Sequence, residues 1–156
     1  MAVTCGALAL NGATYYVATS GSDSNPGTST APFLTVQRGV DAAAAGDTVI
    51  VRNGTYQPPS SAGCSGGNGF HLNVAKAGTS SAWITIKAEN RGGATLNGAA
   101  CHSTINLGSG AAYITLDGLV VTGGYWGGIW SNQNAHDIRI TGNRVEYVGN
   151  RSETSA

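Results

Sequence analysis

The chain has 156 residues, of which only 16 are charged, eight of each sign, so it holds neither a basic field for a phosphate backbone nor an acidic block. Nucleic acid is excluded as a partner on that ground, and no apolar run approaches the roughly 20 residues of a membrane-spanning helix. Twenty-four glycines with abundant Thr, Ser, Asn and Ala describe a chain that turns often and fills its interior with small and β-branched side chains. Length and composition fit one elongated domain.

Residues 1–13 are small and apolar, and two readings stay open for them: the remnant of a secretion signal without its basic start, or a disordered N-terminus. A lipoprotein box ending at Cys5 fits less well. The domain proper is taken as 14–156. Thr14 to Ala18 (TYYVA) reads as a first strand, and residues 21–28 are dense in turn formers. From Pro32 the pattern changes: Phe33, Val36, Val40 and Ala43 share one helical face, Pro32 suits a first turn and Gly46 supplies a stop, which predicts a short amphipathic helix from about Pro32 to Ala45. Gly46-Asp47 turns the chain into the strand Thr48 to Val51, and Asn53-Gly54 turns it again into Thr55-Tyr56.

Beyond a polar stretch from Gln57 to Asn68 come short strands separated by Gly and Asn. Ile114-Thr-Leu-Asp-Gly-Leu-Val-Val121 superposes without a gap on Ile138-Arg-Ile-Thr-Gly-Asn-Arg-Val145, an offset of 24 residues, and Ile84-Thr-Ile86 and Ile105-Asn-Leu107 carry the same apolar-polar-apolar triplet. A period in the low twenties made of such short strands predicts a solenoid in which each coil stacks on the one before and equivalent residues form columns. The leucine-rich L-x-x-L-x-L pattern is absent, so the fold class is all-β, a single-stranded right-handed parallel β-helix, with the predicted helix as its N-terminal lid. No comparable lid is visible after the last repeat strand, where Asn150 to Ala156 is polar, and the chain reads as a fragment of a longer solenoid.

The run Tyr15-Tyr-Val-Ala-Thr-Ser-Gly-Ser-Asp-Ser-Asn-Pro-Gly-Thr28, then Ala31-Pro-Phe-Leu-Thr-Val-Gln37, Ala45-Gly-Asp-Thr-Val-Ile-Val51 and Asn53-Gly-Thr-Tyr56, resembles the N-terminal signature of pectate-lyase-like right-handed β-helix proteins. Ala77-Gly-Thr79 with Trp83-Ile-Thr-Ile-Lys-Ala88 is similar to the second coil of that group. The resemblance implies a fold firmly and an activity loosely, since the same entry pattern precedes polysaccharide lyases, glycoside hydrolases and non-catalytic surface proteins. The expectation is the N-terminal portion of a secreted, extracellular or periplasmic carbohydrate-active protein, a polysaccharide lyase on an acidic polymer, monomeric at full length, with its catalytic coils outside this chain. The alternative is a non-catalytic adhesive β-helix that binds glycans or a protein.

β-Elimination at a uronate needs a base for the C5 proton and a cation for the carboxylate. Lys76 and Lys87 are the lysines present; both are read as solvated edge residues and receive no catalytic role. Catalytic residues are therefore unassigned. Tyr125, Trp126 and Trp130 are the candidate substrate-binding residues, with aromatic faces for sugar rings. Against this, Trp130 and Ile129 also fit as core positions of one strand, leaving Trp126 the better exposed. His136 and Asp137, adjacent on a strand, are expected on opposite faces, while Arg144 and Glu146, two apart, are expected to share one.

Asp23, Asp47 and Asp117 are isolated and expected to hold turns. No metal site and no cofactor are expected in this chain, calcium being an implication of the resemblance for coils elsewhere. Three cysteines are too few for a disulfide framework. Cys64 and Cys101 either pair and tie two neighbouring coils or remain thiols. Asn143 is expected to start an internal asparagine ladder, and Asn53-Gly-Thr and Asn150-Arg-Ser match glycosylation sequons.

Overall fold

A computed structural model describes residues 12–58, 64, 69–99 and 101–149. Among the described residues twelve short strands and one helix follow one another: β1 (Thr14–Val17), α1 (Val36–Ala42), β2 (Thr48–Val51), β3 (Gly54–Tyr56), β4 (Phe70–Val74), β5 (Ile84–Ala88), β6 (Ala94–Asn97), β7 (Ser103–Leu107), β8 (Ala112–Asp117), β9 (Val120–Thr122), β10 (Gly127–Ser131), β11 (His136–Thr141) and β12 (Arg144–Glu146). Every third strand after α1 returns to the same sheet. The result is three parallel sheets, ordered β1-β2-β5-β8-β11, β3-β6-β9-β12 and β4-β7-β10.

The expected repeat is the stacking register. Ile114 pairs with Ile138, Leu116 with Ile140 and Val121 with Val145. The eight-residue repeat is two strands around a corner rather than one strand, because Gly118 and Gly142 at its centre have φ values of 72° and 60°. The period of 24 holds only between these last coils; Thr85 lies 30 positions before its partner Thr115, and Thr48 lies 37 before Thr85. Longer early coils accommodate longer turns. Ile105-Asn-Leu107 belongs to a different column from Ile84-Thr-Ile86: it stacks on Leu72 and Ile129 in the third sheet.

Alternation in β5 and β8 sends Ile84, Ile86, Ile114 and Leu116 inward, where they meet Val49, Val51, Leu96 and Leu107 in one continuous core. Each fully buried aliphatic side chain contributes about 1.5–3 kcal/mol. Over the first coil, α1 places Val36 and Val40 on that core, joined by its C-cap Ala43, and acts as the expected lid.

The helix is shorter than the pattern suggested, Val36–Ala42 instead of Pro32 to Ala45. Asp23 accepts hydrogen bonds from the backbone N–H groups of Leu34 and Thr35 and from the Thr35 hydroxyl, all within 2.9 Å, and Phe33 bridges Val17, so residues 32–35 are held out of the helix. Thr35 is then the N-cap, accepting from Arg38 N.

Two side chains of this region hold the lid in place. Gln37 accepts from Asn73 N at 2.8 Å and donates to Asn73 O at 3.1 Å, filling the backbone positions a further strand beside β4 would occupy. Lys76, expected to be solvated, donates to the carbonyls of Val40, Asp41 and Ala43 at the helix C-terminus, where a cation opposes the helix dipole. At the other end β11 and β12 have one neighbouring strand each, and Ile140 and Val145 are about half exposed.

Cys64 and Cys101 form a disulfide across a separation of 37 residues, joining the segment after β3 to the turn before β7. Two successive coils are thereby tied together, the first of the two readings. Residues 1–11, with Cys5, and residues 150–156, with the second sequon, lie outside the described residues. Asn53 of the first sequon accepts from Asn90 Nδ2 at 3.2 Å.

Candidate functional site

The aromatic residues singled out from the sequence gather at the third sheet. Trp130 lies in β10 in register with Asn106 of β7 and Asn73 of β4, and it is half exposed. The core alternative for Trp130 is thereby overturned: Ile129 packs on the core, and the strand turns the indole outward. Trp126 is equally exposed and Tyr125 slightly less so, so Trp126 holds no advantage.

His102, which the sequence reading passed over, organises these rings. Its centroid lies 5.5 Å from Trp130, 6.2 Å from Trp126 and 5.8 Å from Phe70, and Tyr125 meets Trp126 edge-on at 5.3 Å. Backbone bonds from Tyr125 N to Cys101 O and from Trp126 N to His102 O, 2.9 and 2.8 Å, fix this loop on the coil below. Among the described residues, His102 Nδ1 is buried without a hydrogen-bond partner.

A second cluster, also missed, lies on the outer face of the first sheet. Trp83 and Tyr113 immediately precede the register partners Ile84 and Ile114, and their rings meet edge-on at 5.6 Å. Tyr113 also meets His136 at 5.7 Å, and the Arg139 guanidinium sits 3.7 Å from the Trp83 centroid. Lys87 stands beside Asp117 of the next coil in the same column, and Asp117 accepts from Thr141 Oγ1 and pairs with Arg91 at 3.5 Å.

His136 and Asp137 are not on opposite faces, as strand alternation required: His136 Nδ1 and Asp137 Oδ2 are 2.8 Å apart. The cause is the backbone, since Asp137 has φ 52°, a left-handed conformation that breaks the pleat, and Tyr113 in the preceding coil has φ 53°. The expected Arg144–Glu146 contact is present at 3.1 Å, an exposed pair that contributes little to stability.

Of the three aspartates expected to hold turns, Asp23 and Asp47 do so, whereas Asp117 ends β8 and binds the side chains of Thr141 and Arg91 instead. Asp47 accepts from Ala13 N and Ala44 N, and Asp23 holds the segment leading into α1. Asn143 starts no asparagine ladder; it bridges to the previous coil by donating to Leu116 O and accepting from Leu119 N. The asparagine pairing is elsewhere, Asn106 Nδ2 to Asn73 Oδ1 at 2.8 Å. Among the described residues no three His, Cys, Asp or Glu side chains gather to hold a metal ion, and no helix is long and apolar enough to cross a membrane.

A depression of about 460 Å³ beside the lid is lined by Asp23, Thr35, Tyr56 and His71, among others. Burial holds His71 down to about 4 against a weaker opposing effect of its bond to Asn97 O at 2.9 Å, so its ring is neutral. Burial, aided by Glu89 and opposed by Arg52, pushes the Tyr56 hydroxyl up to about 12; it donates to carbonyls of Val17 and Arg52.

Coils of three short strands, stacked in register into three parallel sheets, define a parallel β-helix. The chain belongs to the Pel9A-like right-handed β-helix family, whose model matches residues 15–152. It is 38% identical over 73 residues to pectate lyase PEL9 of Emericella nidulans, covering 47% of this chain and 15% of that protein.

Among solved structures, a rhamnogalacturonan lyase superposes with a TM-score of 0.73 at 24% identity, over 88% of this chain and 36% of that one. The GH136 lacto-N-biosidase from Eubacterium ramulus gives 0.69 at 19% identity, over 88% and 27%. Pectate lyase Pel9A gives 0.53 at 26% identity, over 70% and 28%. The first two show the fold alone. The chain spans well under half the length of each of these proteins.

Proposed function

We propose that these coils are the N-terminal part of a secreted polysaccharide lyase acting on an acidic polymer. The observation that carries this reading is the family match together with the likeness to pectate lyase PEL9. The outer face of the first sheet agrees with it, since Lys87, Arg91 and Arg139 stand on or beside stacked columns with Trp83 and Tyr113, suited to a carboxylated sugar chain. The Cys64–Cys101 disulfide supports an oxidising, extracellular or periplasmic setting.

In this reading the described coils position the polymer and coils outside the chain perform the elimination. A base takes the C5 proton, the electron pair forms the C4–C5 double bond, and the C4–O bond to the leaving sugar breaks. Lys76 is unsuited to be that base because its ammonium is committed to three carbonyls. The test is ultraviolet absorbance of polygalacturonate incubated with the full gene product. A rise from unsaturated uronate ends supports the lyase; binding without any such rise supports the second reading, a non-catalytic glycan-binding β-helix, which the exposed Tyr125, Trp126 and Trp130 favour.

A further inference from the structure

We infer that the corner between Trp126 and Trp130 is a binding site for an uncharged sugar ring, a ligand class different from the acidic polymer of the first sheet. The inference rests on reading Tyr125, Trp126 and Trp130 as carbohydrate contacts and adds what that site selects.

Charge distribution is the first argument. All Asp, Glu, Lys and Arg side chains fall outside residues 53–75, 92–116 and 118–136, the three stretches that contain β4, β7 and β10 with the turns entering them. The third sheet therefore carries no Asp, Glu, Lys or Arg of its own, while Lys87, Arg91, Asp117, Asp137 and Arg139 all belong to the first sheet or its turns. An anion placed at the corner would lose hydration and find no Lys or Arg of that sheet to pair with, a cost that an uncharged ring avoids.

Ring geometry is the second. His102 is tilted 36° to Trp126 but stands at 88° to Trp130, so the two indoles are inclined to each other by about 50° or more. Such a pair forms an angled recess rather than a flat platform: one indole takes the C–H face of a pyranose, and the other closes on its edge. A hydroxyl partner lies along the same sheet, since the exposed Asn73 occupies the column of Trp130 and its amide is held by the buried Asn106. The recess is built in advance, because the loop is hydrogen-bonded to Cys101 and His102, and Cys101 is held by the disulfide.

The experiment titrates the 156-residue chain with cellotetraose, mannotetraose and galactotetraose as neutral probes and with tetragalacturonate as the charged one, following tryptophan fluorescence. The expected result is a neutral probe that binds independently of salt, with affinity weakened about tenfold or more in Trp130→Ala and Trp126→Ala, partly kept in Trp130→Phe, and unchanged in Leu34→Ala, at an exposed position beside the lid. Tetragalacturonate binding that Trp130→Ala abolishes, with no neutral probe bound, overturns the ligand class and leaves the carbohydrate reading standing. Failure of all four probes overturns both. Self-association lost in Trp130→Ala also overturns the inference, making a second copy the occupant.

Discussion

Protonation of His71 provides a quantitative test of how tightly the first coil is closed beneath the lid. The ring is 4% exposed, and burial holds its pKa at about 4 in the folded chain against an ordinary 6.5. Between those values the unfolded chain binds the proton that the folded one refuses, so stability is fully present above pH 6.5 and falls as the pH drops towards 4. The full difference is about 3 kcal/mol, of which about 2 kcal/mol is lost between pH 7 and pH 5. The assay is urea unfolding at both pH values for the native chain and for His71→Gln. The variant is less stable at pH 7, because Asn97 O loses its partner, but its loss on going to pH 5 is smaller by about 2 kcal/mol. Equal losses in the two proteins would refute the claim that His71 is buried neutral.

Reduction of the Cys64–Cys101 disulfide, which closes a 37-residue separation, lowers unfolding free energy by about 4 kcal/mol on the chain-entropy account, checked by denaturation with and without reductant. Leu116→Ala, at a fully buried position of β8, costs about 2–5 kcal/mol in the same assay, whereas Tyr147→Ala, at 85% exposure, changes stability by less than about 0.5 kcal/mol. Gln37→Ala removes both side-chain bonds to the Asn73 backbone and raises amide hydrogen exchange at Asn73, without a comparable change at Ile114.

The stacking was legible where coils are equal in length, as in the gapless match of 114–121 to 138–145, because register then equals sequence offset. The two readings left open for Cys64 and Cys101 resolve into the bridged one. The cluster of Trp83, Tyr113, His136 and Arg139 was not legible for the opposite reason: unequal coils put these residues at irregular distances, and only the register brings them together. His136 and Asp137 were misplaced because ideal alternation fails at a left-handed residue, which the sequence marks with no glycine. The helix start was set too early because the competing hydrogen bonds come from Asp23, eleven and twelve residues upstream of the groups it binds. Trp130 went to the exposed side of a strand whose glycines give no apolar alternation to read.

Mass spectrometry of the products made from polygalacturonate by the full gene product tests the central proposal most directly. Elimination adds no water, so the account predicts fragments whose masses sum to that of the uncut chain, one of them carrying the C4–C5 double bond. Fragments heavier by one water in total would show hydrolysis and contradict the lyase reading of this β-helix.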